Sequence, residues 1–344
     1  MPKRDGNLIV QSFPASRWEP EVSDPRFFEL TQLPLKQRAA RIAELFAEGV
    51  ENDCPAPSRA NRRKARAETL AERPIAALSR KLRGTFHWLS PKNLPAAILA
   101  IARMAHDWMT AHQMPSPARA SRAPEGFCGR AASLEPEYLI DAYARGLTLR
   151  NFLGTPTLWA PASRAVLRPW DFPRGIGAIR PEGERVSLDE AFDVVLAACG
   201  SAEPAHWRKP ALDMALGDLY DAGFAHSLEV RDRNGVLIAG LIGVAAGGVF
   251  TVERMFALDE DSLVHAVNNL AFQLQRWNFA LIDIRRPSNL ATRLQCATMS
   301  RAQFCGELAS NACGGRHGRW RIAEDLRPLV RRIGDSALKI VASA

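Results

Sequence analysis

Residues 226–256 read HSLEVRDRNGVLIAGLIGVAAGGVFTVERMF, three apolar runs parted by two glycine-bearing breaks, Asn234-Gly235 and Gly247-Gly248. Apolar runs bounded by such breaks read as strands joined by tight turns, so the segment predicts antiparallel neighbours over 226–230, 236–244 and 249–256. The Asn-Gly pair supplies the positive φ angles that a tight hairpin wants. The third run ends on Glu253, Arg254 and Met255. With side chains alternating, Val249, Thr251, Glu253 and Met255 share one face, and Phe250, Val252, Arg254 and Phe256 the other. Glu253 is then either an exposed strand end or a carboxylate placed for chemistry beside a pliable thioether.

Helical signals flank this segment. Ser187-Leu188-Asp189-Glu190 fits a capping box, followed by Phe192, Val195, Leu196 and Cys199 on one helical face. A second helix runs through 212–220, closed by Gly223, and 259–276 is amphipathic with Leu263, Val267, Leu270, Ala271 and Leu274 inward. Residues 279–284 read as one more strand. The class is α/β (α+β), and the order helix, helix, three antiparallel strands, helix, strand resembles the core of GNAT-type acyltransferases. An acyl-CoA enzyme of that type needs a glycine-rich pyrophosphate turn before the helix at 259–276. Ala257-Leu258-Asp259-Glu260-Asp261 offers three carboxylates instead, which disfavours acyl-CoA as donor.

The 344 residues are 47% hydrophobic, enough for substantial cores in two or three domains. No basic-then-apolar leader pattern opens the chain, and the apolar run 236–250 is 15 residues long against the roughly 20 of a membrane span. A cytoplasmic protein without membrane association is expected. Six cysteines lie scattered without a CxxC pair, which suggests neither a metal site nor a disulfide framework. The net charge of +8 sits entirely in residues 1–124, which hold 20 Lys/Arg against 12 Asp/Glu. There Ser58 can cap a helix carrying Arg59, Arg62, Arg63, Lys64 and Arg66, either a solvated cationic face or a contact for phosphates. Residues 113–129, rich in Pro, Ser, Ala and Arg, have linker composition. The expected organisation is a basic helical extension over 1–118, a small mixed domain over 119–184, a GNAT-like catalytic domain over 185–310 and a partly helical tail over 311–344.

Specific motifs then carry a resemblance. GFAHSLEV (223–230), AGLIGV (239–244), FTVERMF (250–256) and LID (281–283) are similar to the GxAHSVEV, GGLYGV, FxGESMF and LIDCQ motifs of leucyl/phenylalanyl-tRNA-protein transferases. Upstream, LIDAYARG (139–146) resembles LLxAYxxGIFPW, and WAP with SRAVL (159–167) resembles WSPxPRAVL. The resemblance spans roughly 136–308. It implies transfer of an amino acid from aminoacyl-tRNA to the N-terminal Arg or Lys of a protein, with no cofactor. Departures fall near the expected chemistry: Arg285 replaces a site glutamine, Val252 the glycine before the glutamate, and Leu290 a histidine.

Residue by residue, the resemblance implies that Leu241, Phe250, Met255 and Leu274 line an apolar pocket for the donor side chain. Glu253 is expected to bind the donor ammonium and orient the ester, a carboxylate there also favouring the cationic acceptor, and Asp283 is a proton acceptor or a strand-end hydrogen-bonding residue. Trp207 matches a stacking platform for the terminal adenine, Trp159 and Arg164 are candidates for the tRNA 3′ end, and Arg285 for phosphates. The expected partners are aminoacyl-tRNA and proteins with basic N-termini, the basic N-terminal region adding a further tRNA contact. Two alternatives stand beside this: a non-catalytic descendant that binds tRNA or N-termini, and a transferase with another acceptor.

Overall fold

The computed structural model of the chain describes residues 59–70, 82, 86, 90–109, 114–170, 184–202, 210–285, 288–312, 314–316 and 318–322. Ser58 and Trp207 lie outside them. The first elements are helices α1 (Arg59–Leu70) and α2 (Leu94–Met109), strand β1 (Phe127–Arg130), helix α3 (Pro136–Ala144) and strands β2 (Thr148–Phe152), β3 (Thr155–Trp159) and β4 (Ser163–Leu167). Strand β5 (Arg185–Leu188), helices α4 (Phe192–Ala202) and α5 (Pro210–Asp221), and strands β6 (Ala225–Arg231), β7 (Leu237–Ala246) and β8 (Val249–Ala257) follow. The chain continues through α6 (Glu260–Arg276), β9 (Leu281–Asp283), α7 (Asn289–Arg293), β10 (Ala297–Ser300) and α8 (Arg301–Ser310). This is an α+β protein.

Seven strands form one sheet in the order β10-β4-β9-β8-β7-β6-β5. Every neighbouring pair is antiparallel except β8 with β9. Helices α3, α4 and α5 cover one face, burying Leu139, Ile140, Val195, Leu216 and Leu219 against Ile242 and Val244 of β7. Helix α6 covers the other, placing Val267, Leu270 and Leu274 against Leu241, Phe250 and Val252. Strands β1, β3 and β2 make a separate small sheet whose Phe127, Phe152 and Trp159 pack with Ala97 and Ala100 of α2. Among the described residues no helix is long and apolar enough to cross a membrane.

Two local expectations are corrected. Ser187 belongs to β5, opposite Glu229 of β6, and its hydroxyl donates to the Glu229 carboxylate at 2.5 Å instead of capping a helix. Glu190 pairs with Arg185 on the surface. The pattern that resembles a cap is thus the end of an edge strand. In the turn between β6 and β7, only Gly235 takes a positive φ, +81°. Asp232 closes this longer loop by accepting from the backbone N–H groups of Asn234 and Val236 at 2.9 and 2.8 Å.

The AHSLEV stretch acts inside the sheet. His226 Nδ1 lies 2.8 Å from Asp189 Oδ2, which also accepts from the backbone of Trp320 at 2.7 Å, and the imidazole stacks on the Trp320 indole with centroids 3.6 Å apart. Residues 318–322 are thereby bound to the body of the molecule.

Three guanidinium groups of the cationic helix α1 meet acids on α4 and α5. Arg62 pairs with Asp221 at 2.8 Å, Arg63 with Asp218 at 3.4 Å, and Arg66 with both Asp193 at 2.6 Å and Asp221 at 3.2 Å. The Arg66 side chain is 1% exposed. Its guanidinium occupies the space beside Gly217 of α5, where an added Cβ would stand 2.4 Å from Arg66 Nε. Three of the five cations counted as a phosphate-facing ridge are therefore partnered by α4 and α5.

Candidate active site

Strands β7 and β8 pair in register from Ala246↔Val249 to Gly243↔Val252, but the next pair is Ile242↔Arg254, so Glu253 is the extra residue of a β-bulge. A bulge bends its strand and re-aims the side chains beyond it. Met255 consequently packs with Phe250 and Val252 on the α6 face, while Phe256 packs on the opposite one. Arg254 reaches α5, its Nη2 donating to Asp213 Oδ1 at 2.9 Å. Unbroken alternation, with Glu253 and Met255 on one face, is thus corrected by a single inserted residue.

The parallel ladder of β8 and β9 is short, ending at Thr251↔Asp283. Beyond it Arg285 bridges the two strands. Its Nη1 donates to Glu253 Oε2 at 2.7 Å and to the Glu253 carbonyl at 3.3 Å. Its backbone N–H donates to Asp283 Oδ1 at 2.8 Å, and its φ is +75°. For a residue other than glycine that conformation costs on the order of 1–3 kcal/mol, and it persists only where surrounding bonds over-determine it. Here the two carboxylates hold Arg285 at its backbone and at its guanidinium.

Asp283 is fully buried, and its other oxygen is ion-paired with Arg164 Nη1. Burial raises its carboxyl above the usual range, while Arg164 and the Arg285 backbone pull the other way. Arg164 in turn donates to the carbonyl of Gly146 just after α3 and lies 4.2 Å from the Phe304 ring centroid. Its side chain is 1% exposed. The structure therefore places Arg164 and Asp283 as a buried pair beneath Arg285.

Glu253 is itself buried, with 3% of its side chain exposed, and its Oε1 has no hydrogen-bond partner. Tyr143 of α3 lies against this carboxylate, its phenol in side-chain contact with Glu253 although no bond to Oε1 meets hydrogen-bond geometry. Burial and then the Glu253 charge hold its phenol well above the ordinary value. Sequence reasoning did not single out Tyr143, although the LIDAYARG motif contained it. Arg254, which steadies the bulge through Asp213 and donates to the Glu253 carbonyl at 3.2 Å, was missed as well.

The remaining candidates lie elsewhere. Leu241, Phe250 and Leu274 are at most 1% exposed and pack with Trp320 on the α6 face. Met255, cross-strand from Leu241, is only partly buried. Trp159 sits in the core of the small sheet, its indole N–H donating to Thr157 Oγ1 at 2.9 Å. Glu253, Asp283, Arg164 and Arg285 are thus brought together, and the apolar candidates are gathered as a separate cluster. Among the described residues, no group of three or more His, Cys, Asp or Glu side chains could hold a metal ion.

Fold and site define an α+β protein with a buried acid–guanidinium network at the diverging ends of two parallel strands. The family model for leucyl/phenylalanyl-tRNA protein transferase matches residues 177–309, which include β5 to β10. The chain is 34% identical over 234 residues to the leucyl/phenylalanyl-tRNA–protein transferase of Alkalilimnicola ehrlichii, covering 64% of this chain and 91% of that one. To that of Oleidesulfovibrio alaskensis it is 34% identical over 232 residues, covering 64% and 93%. To that of Thiobacillus denitrificans it is 35% identical over 193 residues, covering 54% and 84%. A solved structure, L-PGS from Bacillus licheniformis, is similar at 11% identity with a TM-score of 0.29 over 50% of this chain and 65% of that one. The chain belongs to the leucyl/phenylalanyl-tRNA–protein transferase family.

Proposed function

We propose that this protein is an aminoacyltransferase that moves an amino acid of the Leu/Phe class from aminoacyl-tRNA to the N-terminal amine of a protein beginning with Arg or Lys. Such a mark would place its target in an N-degron pathway, and the reaction belongs in the cytoplasm. The observation that carries the reading is the buried Glu253 carboxylate with one oxygen held by Arg285 and the other unpartnered. An unsatisfied buried carboxylate oxygen is costly, and an ammonium donor relieves it. In this reading Glu253 Oε1 receives the donor's α-ammonium where the β8/β9 ladder ends. The donor side chain turns toward partly buried Met255, at the edge of the cluster of Leu241, Phe250 and Leu274. Asp283, with both oxygens engaged, serves as a positioning residue through Arg164 and Arg285. Trp207 remains the proposed adenine platform.

A GNAT-like catalytic core agrees with one parallel pair in an otherwise antiparallel sheet. The N-terminus of α6 is closed by Asp259, which accepts from the Ser262 backbone at 2.7 Å, and Glu260 and Asp261 are both paired with Arg293. The Asp259 cap and these acidic side chains disfavour a pyrophosphate there, in keeping with a tRNA-borne donor.

Purified full-length protein, radiolabelled Leu-tRNA or Phe-tRNA and an Arg-initiated peptide test the reading. Label is expected at the peptide N-terminus; no transfer to any acceptor together with no tRNA binding overturns it. A non-catalytic binder is the competing reading, favoured by Arg285 occupying one oxygen of Glu253, and it predicts binding without turnover.

A further inference from the structure

Arg285 holds more hydrogen-bonding capacity than its neighbours use. Both bonds from its guanidinium leave through Nη1, to the side chain and carbonyl of Glu253. Its Nε and Nη2 make no hydrogen bond to any described residue, and 17% of the side chain is exposed. The group is nonetheless tightly placed. Glu253 grips the guanidinium and Asp283 grips the backbone in its left-handed conformation, so the unused N–H edge has a fixed direction. A preorganised cation with donors to spare stands beside a buried carboxylate with an acceptor to spare. An α-aminoacyl ester carries the complementary pair, an ammonium and a carbonyl oxygen separated by two carbon atoms.

We propose that Arg285 binds the carbonyl oxygen of the donor ester and stabilises the oxyanion that forms on it, while Glu253 Oε1 holds the same donor's ammonium. This rests on the transferase reading above and deepens it. The acceptor nitrogen attacks the carbonyl carbon, and the C=O π pair moves onto oxygen beside the guanidinium. The ester C–O bond then breaks as the pair returns. The ribose oxygen leaves and takes up the proton that nitrogen gives up, so the step balances without an oxidant or a further reactant. A fixed donor at a developing oxyanion acts on the transition state more than on the ground state, because the charge appears only there. The cation in place of a neutral amide is then a catalytic residue of this chain, and its target is the carbonyl oxygen rather than a tRNA phosphate.

The test compares wild type with Arg285→Met and Arg285→Lys in the full-length protein. Arg285→Met should lower kcat roughly 10²- to 10³-fold with a much smaller change in KM. Added guanidinium ion should restore part of the rate, whereas tetramethylammonium should not. As a binding readout, the adenosyl ester of the phosphonate analogue of leucine mimics the tetrahedral anion, and the matching leucylamido-adenosine mimics the ground state. Wild type should prefer the phosphonate, Arg285→Met should lose that preference while still binding the amide, and Arg285→Lys should keep part of it. Equal kcat in Arg285→Met, or an unchanged preference, overturns the assignment. A wild type that transfers nothing yet selects the phosphonate through Arg285 upholds the assignment and overturns the acceptor chemistry instead. Wild-type transfer with normal kcat in Arg285→Met overturns the assignment alone.

Discussion

At Asp283 the side chain carries two obligations at once, an ion pair with buried Arg164 and a hydrogen bond from the Arg285 backbone. Removing one charge from a buried pair leaves the other uncompensated, which typically costs about 3–5 kcal/mol. Asp283→Asn should therefore lower stability by that amount in thermal or urea unfolding and slow transfer as well. A variant with wild-type stability would show Arg164 to be satisfied by Gly146 and Phe304 alone. Glu253 could be singled out from the sequence because its neighbours resemble a known motif. What its neighbourhood does was not legible, since a bulge is defined by pairing with a strand elsewhere in the chain. The inserted residue separates Glu253 from Met255 and sends Arg254 to Asp213. Arg285 was recognisable as a departure and as a candidate for phosphates, not as the partner of Glu253; its left-handed backbone depends on Asp283 two residues earlier and on Glu253 across the gap.

Elements with strong local periodicity were the easiest to read. The strands expected over 226–230, 236–244 and 249–256 correspond to β6, β7 and β8, and the helix over 259–276 to α6, within a few residues. Strand β5 was hidden because Ser187 and Glu190 imitate a cap, while its pairing with β6 is non-local. The short strands β1 to β4 and β10 have too few residues for a period to show. The cap of α6 offers a test at this scale. Asp259 accepts from the backbone and hydroxyl of Ser262, and those bonds hold its carboxyl below the usual range. A carboxyl depressed by folding stabilises the native state above its unfolded pKa and loses that contribution as the pH falls through its folded value. Asp259→Ala should cost about 1 kcal/mol at neutral pH, as loss of an N-cap does. The deficit relative to wild type should shrink as unfolding is measured well below about pH 4, the ordinary Asp range; a deficit constant down to pH 2 would assign the effect to packing. Helix α1 provides a second test. Arg66→Met leaves Asp221 buried without its Arg66 partner and should lower stability by about 3 kcal/mol, whereas Lys64, which is exposed, should tolerate Ala with little change. Equal, small losses in both would show that Arg66 only rests on α5.

Across the whole molecule, the charge asymmetry of the sequence was correct as a count, but the count alone says nothing about partners. Arg62, Arg63 and Arg66 meet acids on α4 and α5 that composition assigns to a different region, so part of the apparent basic excess is spent within the fold. The same pairing joins the N-terminal helix to the elements that shape the site: α5 carries both Asp221, which meets Arg66, and Asp213, which orients Arg254 beside the bulge. On the far face, Trp320 packs among Phe250, Trp277 and Phe279 and binds Asp189. The site thus sits at the end of a short parallel ladder held from both faces, and the central claim is that its unpartnered Glu253 oxygen receives the donor's ammonium. The most direct test is the initial rate of transfer of labelled leucine or phenylalanine from tRNA to an Arg-initiated peptide, measured for wild type and Glu253→Gln at matched folded fractions. Loss of a charged anchor in a desolvated site should cost roughly 2–4 kcal/mol of transition-state stabilisation, about 30- to 1,000-fold in rate. A folded Glu253→Gln protein that transfers at the wild-type rate would contradict the account.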